Sequence, residues 1–538
     1  MKMTDDTHLL TLQNQLAQMQ AQIDALESEK QSWQTEKQSW QTEKQSWQTE
    51  KQSWQTEKEV FKEDKVEMQT RIDHLLAELK LSKSQKYGRK SEKAPRGTFN
   101  EAEQHKTSEA PKHHKKGKQT LAEHFEREEV EHTLTELACA CCGEPMHHCG
   151  SEDSEQVKII PAKISVIKHK QFKYACRHCE HEELSSKIIT APKPAQPIPG
   201  SMASPEALSA VVTAKYCDAL PLYRLVDIFE RGGLSISRGT LANWCIKAGI
   251  LIKPLVKAMQ RHLLGEHSLC ADETRVQVLD EGKNPSSNSQ MWVYRSNEVS
   301  KQVVVIYDYQ AGRSRACAEA FLAGYQGYLQ CDGYSVYDGI EGVIPVGCWA
   351  HARRKYDEAL KAESKNKGRA HKAISFISKL YKIETQAKNK KLSPQVRYQL
   401  RQEKALPILT QFKAWLDEAS SKVTAGSYIG KAIKYNLNQW HKLIRYVEDG
   451  HLGIDNNITE RDIRPFTTGR KNWLFSKSIN GAQASATLYS IVMTCRANDI
   501  NPYYYFLHLF KLLPARQSDD DDFTDLMPWN VQLDFDYS

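Results

Sequence analysis

Three carboxylates, four cysteines and several clusters of cations are the groups in this sequence whose types and spacing could do chemistry. Asp272 lies in "SLCADETRVQVLD", Asp332 in "CDGY", and Glu460 in "DNNITERDIRPFTTGRKNW", among Arg461, Arg464, Arg470 and Lys471. Two or three clustered carboxylates can hold a pair of Mg²⁺ ions about 3.5–4 Å apart, one activating an attacking oxygen and the other stabilising a leaving one. Mg²⁺ suits a few carboxylates completed by substrate phosphate, and cations beside such a site would bind the phosphates of a nucleic acid. Each residue alone also has a plainer reading. Aspartate before glycine is ordinary turn chemistry, and a glutamate among arginines can be a solvated, salt-bridging face.

The cysteines form a second constellation. Cys139-x-x-Cys142 precedes, and Cys176-x-x-Cys179 follows, the alternating stretch "VKIIPAKISVIKHKQFKYAC". Two such knuckles around a strand pair are the sequence form of a zinc ribbon, in which four thiolates close a tetrahedral structural site. Cys141, Cys149, His148 and His178 are near enough to compete as ligands. Buried free thiols are the alternative.

The elements that must position these groups can be read from the pattern. Residues 265–356 read as strands "SLCADETRVQVLD", "QMWVYRS" and "KQVVVIYDYQ", helix "SRACAEAFLAGY", strand "GYLQCDGYSVY", and "GVIPVGCWAHARRKYDEAL" as a short strand entering a helix. Three strands, helix, strand, helix, strand is the order of a ribonuclease-H-like α/β core. In it Asp272 and Asp332 would sit on neighbouring central strands, and a helix beyond the last strand would bring the third carboxylate. The 128-residue gap from Asp332 to Glu460 needs an inserted unit. Residues 357–453 are Lys-rich with few strand signals and read as an α-helical insertion; 454–512 then complete the core. Pro465 is expected to kink or end the helix carrying Glu460.

Residues 205–262 read as a helix-turn-helix. Pro221 opens a helix, Gly232-Gly233 ends it, and Ser237 caps the next, putting Arg238, Thr240, Asn243 and Lys247 on a candidate DNA-reading helix. A purely structural helical hairpin is the alternative. Residues 9–79 form a heptad seam containing four unchanged copies of "KQSWQTE". Leu12, Met19, Leu26, Trp33, Trp40, Trp47, Trp54, Phe61, Met68 and Leu75 recur every seven residues, and Leu9, Leu16, Ile23, then Lys30 through Lys65, then Ile72 and Leu79 form the second series. The pattern predicts a rod of about 105 Å that self-associates, as a dimer or higher homo-oligomer.

Between these lie a basic flexible linker (80–120), the zinc-ribbon domain (121–190) and a Pro-rich linker (191–204); an acidic tail (513–538) ends the chain. The fold class is therefore multidomain α+β. Net charge is +7 with the cations unevenly spread, dense between Lys80 and Lys118. No apolar run approaches the roughly 20 residues of a membrane span, and "MKMTDDTHLL" lacks a signal-peptide core. A cytoplasmic, nucleoid-associated protein without a membrane partner is expected.

Taken in order, "YGRKSEK", the two cysteine knuckles, "PLYRLVDIFERGGLSISRGTLANW", "ADET", "CDGY", "GCWAHARRKY", "GKAIKYNLNQW", "DGHLGIDNNITERDIRPFTTGRKNWLF", "NPYYYFLHLF" and "MPWN" resemble the large transposase of the insertion sequence 66 family, whose catalytic domain is of the DDE class. The resemblance runs from about Tyr87 to Pro528; the Trp-bearing repeat departs from the family's ordinary N-terminal coil. It implies that Asp272, Asp332 and Glu460 are the catalytic triad and Mg²⁺ ligands. It also implies double-stranded DNA, as inverted-repeat ends and target, as the partner, and leaves room for helper proteins from the same element. His351, Arg353 and Arg354 fall in the "CWAHARRKY" match and become candidate DNA contacts; the plainer reading of His351 is a core histidine. Trp349 reads as packing. The rival function is a dimeric zinc and helix-turn-helix DNA binder on an inactive nuclease fold.

Overall fold

The computed structural model of the chain describes residues 5–87, 163–174, 188–282, 289–362, 367–516 and 521–533. Two compact units, Met1–Lys90 and Ser91–Ser538, are separable.

The first unit is one uninterrupted helix, α1 (Asp5–Tyr87). The span contains no Gly or Pro to break it. In each copy of the repeat the Thr hydroxyl donates to the carbonyl four residues earlier, as Thr35 does to Gln31 at 2.9 Å. The heptad residues from Leu12 to Leu79 are exposed: Trp33 is 69% and Phe61 70% accessible.

In the second unit, β1 (Lys173–Tyr174) pairs antiparallel with β2 (Ile189–Thr190). This is less sheet than the alternation predicted: residues 163–172 form no strand. An alternating pattern specifies a strand only where one face is buried, and here Val166 and Ile167 are both exposed. The four knuckle cysteines lie outside the described residues.

Three helices follow, α2 (Pro205–Tyr216), α3 (Leu222–Arg231) and α4 (Arg238–Leu264). Their ends are where the sequence puts them. Gly232 ends α3, Gly233 takes a φ of +86°, and the Ser237 hydroxyl caps α4 by accepting from Thr240 N–H at 3.0 Å.

The central sheet comprises β3 (Ser268–Val276), β5 (Ser289–Ser296), β6 (Val305–Gln310), β7 (Gly327–Gln330) and β8 (Val343–Val346), in the order β6-β5-β3-β7-β8. β4 (Val278–Asp280) stands apart and pairs parallel with β9 (Ser476–Ser478). β3–β5 and β5–β6 are antiparallel, β3–β7 and β7–β8 parallel. Helix α5 (Arg315–Phe321) joins β6 to β7. Two expectations are corrected here. The fourth strand ends at Gln330 rather than running to Tyr337, and the helix expected between the fourth and fifth strands is a single 3₁₀ turn, Ser335–Tyr337. The cause is the turn at Asp332: its carboxylate accepts from Tyr334 N–H at 2.9 Å, and Gly333 adopts φ +92°.

Helix α6 (Trp349–Ala362) leads into α7 (Lys367–Asn389), α8 (Pro394–Leu400), a π-helical turn (Arg401–Ala405), α9 (Leu406–Ser420) and α10 (Tyr428–Leu443). These helices build their own hydrophobic core, which includes Trp349, Phe412 and Tyr446. Trp349 is fully buried and donates its indole N–H to the Leu443 carbonyl at 2.9 Å, so it is a packing residue. Arg401, also fully buried, pairs with Glu384 at 2.9 Å and donates to the carbonyls of Tyr446, Asp449 and Leu452. It thereby fixes the segment returning to the sheet.

Helix α11 (Asn457–Trp473) continues past Pro465, which was expected to kink or end it, and so does not end there. Proline removes one backbone bond. Burial of Ile463 and Phe466 on either side holds the turn against the core. α12 (Ile479–Ala497) covers the β6 edge, with Ser490 and Thr494 hydroxyls accepting from the N–H groups of Tyr307 and Val305 at 2.8 and 3.0 Å; a strand edge covered in this way is not free to pair with another chain. Gly249 of α4 lies so close to α12 that a Cβ there would sit 2.8 Å from Ala484. α13 (Pro502–Leu512) completes the unit, and the acidic end of the chain docks beneath it through Phe523, Leu526 and Met527. Helices α2–α4 share one hydrophobic core with the sheet.

Candidate active site

Asp272 is in the middle of β3, and Asp332 lies two residues beyond the end of β7, the strand hydrogen-bonded to β3. Glu460 is on the first turn of α11. Asn456, fully buried just ahead of α11, ties the elements together. Its amide donates to the Ala271 carbonyl at 2.8 Å, one residue before Asp272. Its backbone N–H meets the Cys348 sulfur at 3.2 Å, and its side-chain oxygen accepts from Thr459 at 2.7 Å. The helical insertion steadies the other carboxylate: Tyr435 of α10 donates its hydroxyl to the Asp332 carbonyl at 2.9 Å.

The three carboxylates are brought into one electrostatic neighbourhood. Burial holds the Asp272 carboxyl well above the usual carboxylate range, and the charges of Glu273, Asp332 and Glu460 push it further, against the stabilising Glu273 N–H at 2.9 Å. Glu460 accepts from Arg354 at 3.3 Å and lies 3.5 Å from His351 Nε2. Burial and the Arg354 charge lower the His351 pKa, while Glu460 and Asp332 act to raise it. Its Nδ1 is buried without a hydrogen-bond partner, so the backbone-satisfied core histidine is not what is observed.

Among the described residues no group of three or more His, Cys, Asp or Glu side chains forms a ready metal cage. The donor set nevertheless suits Mg²⁺, which keeps several waters and takes only one or two protein carboxylates plus phosphate. Asp272 is a half-buried carboxylate beside further carboxylates, and a divalent cation would relieve that repulsion.

The predicted cations divide. Arg464 and Lys471 of α11 are exposed and, four and eleven residues after Glu460, fall close to its stripe of the helix. Arg470 is instead turned to β3, donating to Thr274 at 3.2 Å, and burial lowers its pKa. Arg461 is partly buried, with its Nε unpartnered. Arg353 supports the Asp357 carboxylate one turn along α6. Arg238, Asn243 and Lys247 are exposed on α4, whereas the Thr240 hydroxyl is engaged with Ser237 at 2.9 Å.

Three residues beside the site escaped sequence reasoning. Glu273 was overshadowed by its neighbour Asp272. Asn456 had a signal, an Asx residue directly before a helix. Arg313, in the unremarkable loop "QAGRSR", had none.

The comparisons with known proteins meet this geometry. Residues 200–484 match the model of the transposase IS66 family, residues 136–180 the zinc-finger binding domain of transposase IS66, and residues 490–529 the IS66 C-terminal element. The chain belongs to the IS66 transposase family. All four knuckle cysteines fall inside the zinc-finger match. Two relatives come from Sinorhizobium fredii (strain NBRC 101917 / NGR234). Uncharacterized protein y4jD is 30% identical over 427 residues, covering 77% of this chain and 82% of the relative. Uncharacterized protein y4qI is 31% identical over 441 residues, covering 79% of each. Among the described residues, no helix is long and apolar enough to cross a membrane.

Proposed function

We propose that this chain is a DDE transposase that binds the double-stranded ends of an insertion element, cleaves a phosphodiester there and joins the freed 3′-hydroxyl to target DNA. The observation that supports this reading is the parallel pairing of β3 with β7, in which Cys270 lies opposite Gln330, each two residues before Asp272 and Asp332, together with the charges of Asp332 and Glu460 acting on Asp272. The sheet order and the mix of antiparallel and parallel neighbours support a ribonuclease-H-like core, interrupted between β8 and α11 by the helical insertion.

Asp272, Asp332 and Glu460 would hold Mg²⁺, which supplies charge stabilisation to the attacking and leaving oxygens. The protein's own part is orientation. Asn456 fixes β3 against α11, Tyr435 holds the Asp332 turn, and Arg354 and His351 keep Glu460 in place. Arg354 beside Glu460, with the exposed Arg464 and Lys471 near the Glu460 stripe of α11, would supply the positive charge a phosphate backbone requires. Arg238, Thr240, Asn243 and Lys247 would read or track DNA from α4, and Cys139, Cys142, Cys176 and Cys179 would bind one structural Zn²⁺. Exposure of the described heptad side chains of α1 supports association with a second copy.

The test is strand cleavage on a duplex carrying the DNA ends that flank the gene. Glu460→Gln keeps shape but removes charge; cleavage should fall at least about 10²–10³-fold, the scale of losing one essential electrostatic group. Asp272→Asn and Asp332→Asn should behave alike, with end binding retained or tightened in all three. Near-normal cleavage by folded Glu460→Gln protein would refute the assignment and favour a DNA binder on an inactive scaffold.

A further inference from the structure

Four acidic side chains, Asp272, Glu273, Asp332 and Glu460, would repel a polyanion unless fixed cations flank them. Arg354 stands on the α11 side, beside Glu460. On the opposite face of the sheet stands Arg313, in the loop after β6. Because β6, β3 and β7 run in the same direction, that loop opens at the same end of the sheet as Asp332.

Arg313 is held rigidly. Its Nε donates to a Glu273 carboxylate oxygen at 3.0 Å, and one terminal nitrogen completes the ion pair on the same oxygen. The second Glu273 oxygen accepts from the Tyr337 hydroxyl at 3.2 Å. The guanidinium lies 3.9 Å from the centre of the Tyr334 ring, whose hydroxyl donates to the Arg313 carbonyl at 2.9 Å. Tyr334 also donates its backbone N–H to the Asp332 carboxylate at 2.9 Å. One residue thus joins the guanidinium to the carboxylate.

The pair is unequally placed: the Glu273 side chain is 2% exposed and that of Arg313 45%. Here the anion is underneath, and the remaining terminal nitrogen has no protein partner among the described residues. A guanidinium oriented by a carboxylate and an aromatic face is suited to the fork geometry of a phosphate.

We propose that Arg313, set in place by Glu273 and Tyr334, binds a backbone phosphate of the DNA strand next to the one that reacts. The inference rests on the DNA-cleaving reading above. It is tested with the full-length protein on the duplex ends flanking the gene, measuring binding across a range of salt concentrations and cleavage with Mg²⁺. Arg313→Ala should weaken binding about tenfold and flatten the log–log salt dependence by about one contact. Arg313→Lys should keep the salt slope because it keeps the charge.

Arg313→Ala leaves a buried carboxylate without its counter-ion, so Glu273→Gln/Arg313→Ala is measured beside it. Equal loss of binding in the single and double variants assigns the effect to the guanidinium. Wild-type binding and slope in the double variant would overturn the proposal. Absence of both binding and cleavage by the wild-type protein would overturn the DNA-cleaving reading and this inference with it. Wild-type cleavage alongside unchanged Arg313→Ala binding would overturn this inference alone.

Discussion

Tryptophan occupies opposite environments in the two compact units. In α1, Trp33, Trp40, Trp47 and Trp54 are 68–69% exposed, whereas Trp292 on β5 and Trp349 on α6 are fully buried. In α1 each Trp is the one apolar residue of its seven-residue repeat, with Lys in the second seam series, whereas Trp292 lies within the apolar run Met291–Tyr294. The difference is that β5 has sheet neighbours on both sides and is buried along its whole length, while the described heptad side chains of α1 are exposed. Periodicity specifies an element and its sticky face; burial requires something across from it. For α1 a second copy of the same seam can supply it.

Trp292→Ala breaks this contrast most sharply. Its ring stacks on Tyr294 at 6.4 Å and meets Tyr337 edge-on at 5.9 Å. Removing it should cost about 3–5 kcal/mol, whereas Trp40→Ala should change the melting of the same unit by less than about 0.5 kcal/mol. Comparable losses in denaturant titrations of the two variants would show that α1 is integrated into the second unit's core.

A smaller effect is expected at the polar joint. Asn456→Ala deletes the donor to the Ala271 carbonyl and the acceptor for Thr459, and should destabilise by about 2–3 kcal/mol. Asn456→Asp keeps the acceptor and loses the donor. If it cleaves like the wild type, the link between β3 and α11 is not what positions Glu460.

The smallest effect belongs to the repeat. Deleting one whole "KQSWQTE" unit leaves the seam in phase and should preserve association in sedimentation experiments; deleting three residues shifts the phase and should weaken or rearrange it. Neither should alter the melting of the catalytic unit. Equal association of the two deletions would make the repeat a solvated spacer.

The long helix of α1, the Gly232-Gly233 stop and the Ser237 cap were legible in the sequence because each depends on residues within a turn or two. So were the strands bearing Asp272 and preceding Asp332, from their apolar runs. The family was legible too, because its motifs keep their order along the chain. The end of β7 was not, because one side-chain turn at Asp332 outweighed the strand propensity of "GYSVY". Nor was the passage of α11 through Pro465, where burial of Ile463 and Phe466 offsets a local defect.

Only the tertiary structure decided which charges meet. The charge of Glu460 acts on Asp272 across 188 residues of chain because Asn456 bridges to Ala271 and Arg401 pins the returning segment. Arg313 reaches Glu273 because β6 and β3 flank β5 in one sheet. Local pattern determines elements because backbone preference and capping act over a few residues. Which side chains share a site depends on pairing and burial between distant segments, and one sequence read in order carries no direct mark of either.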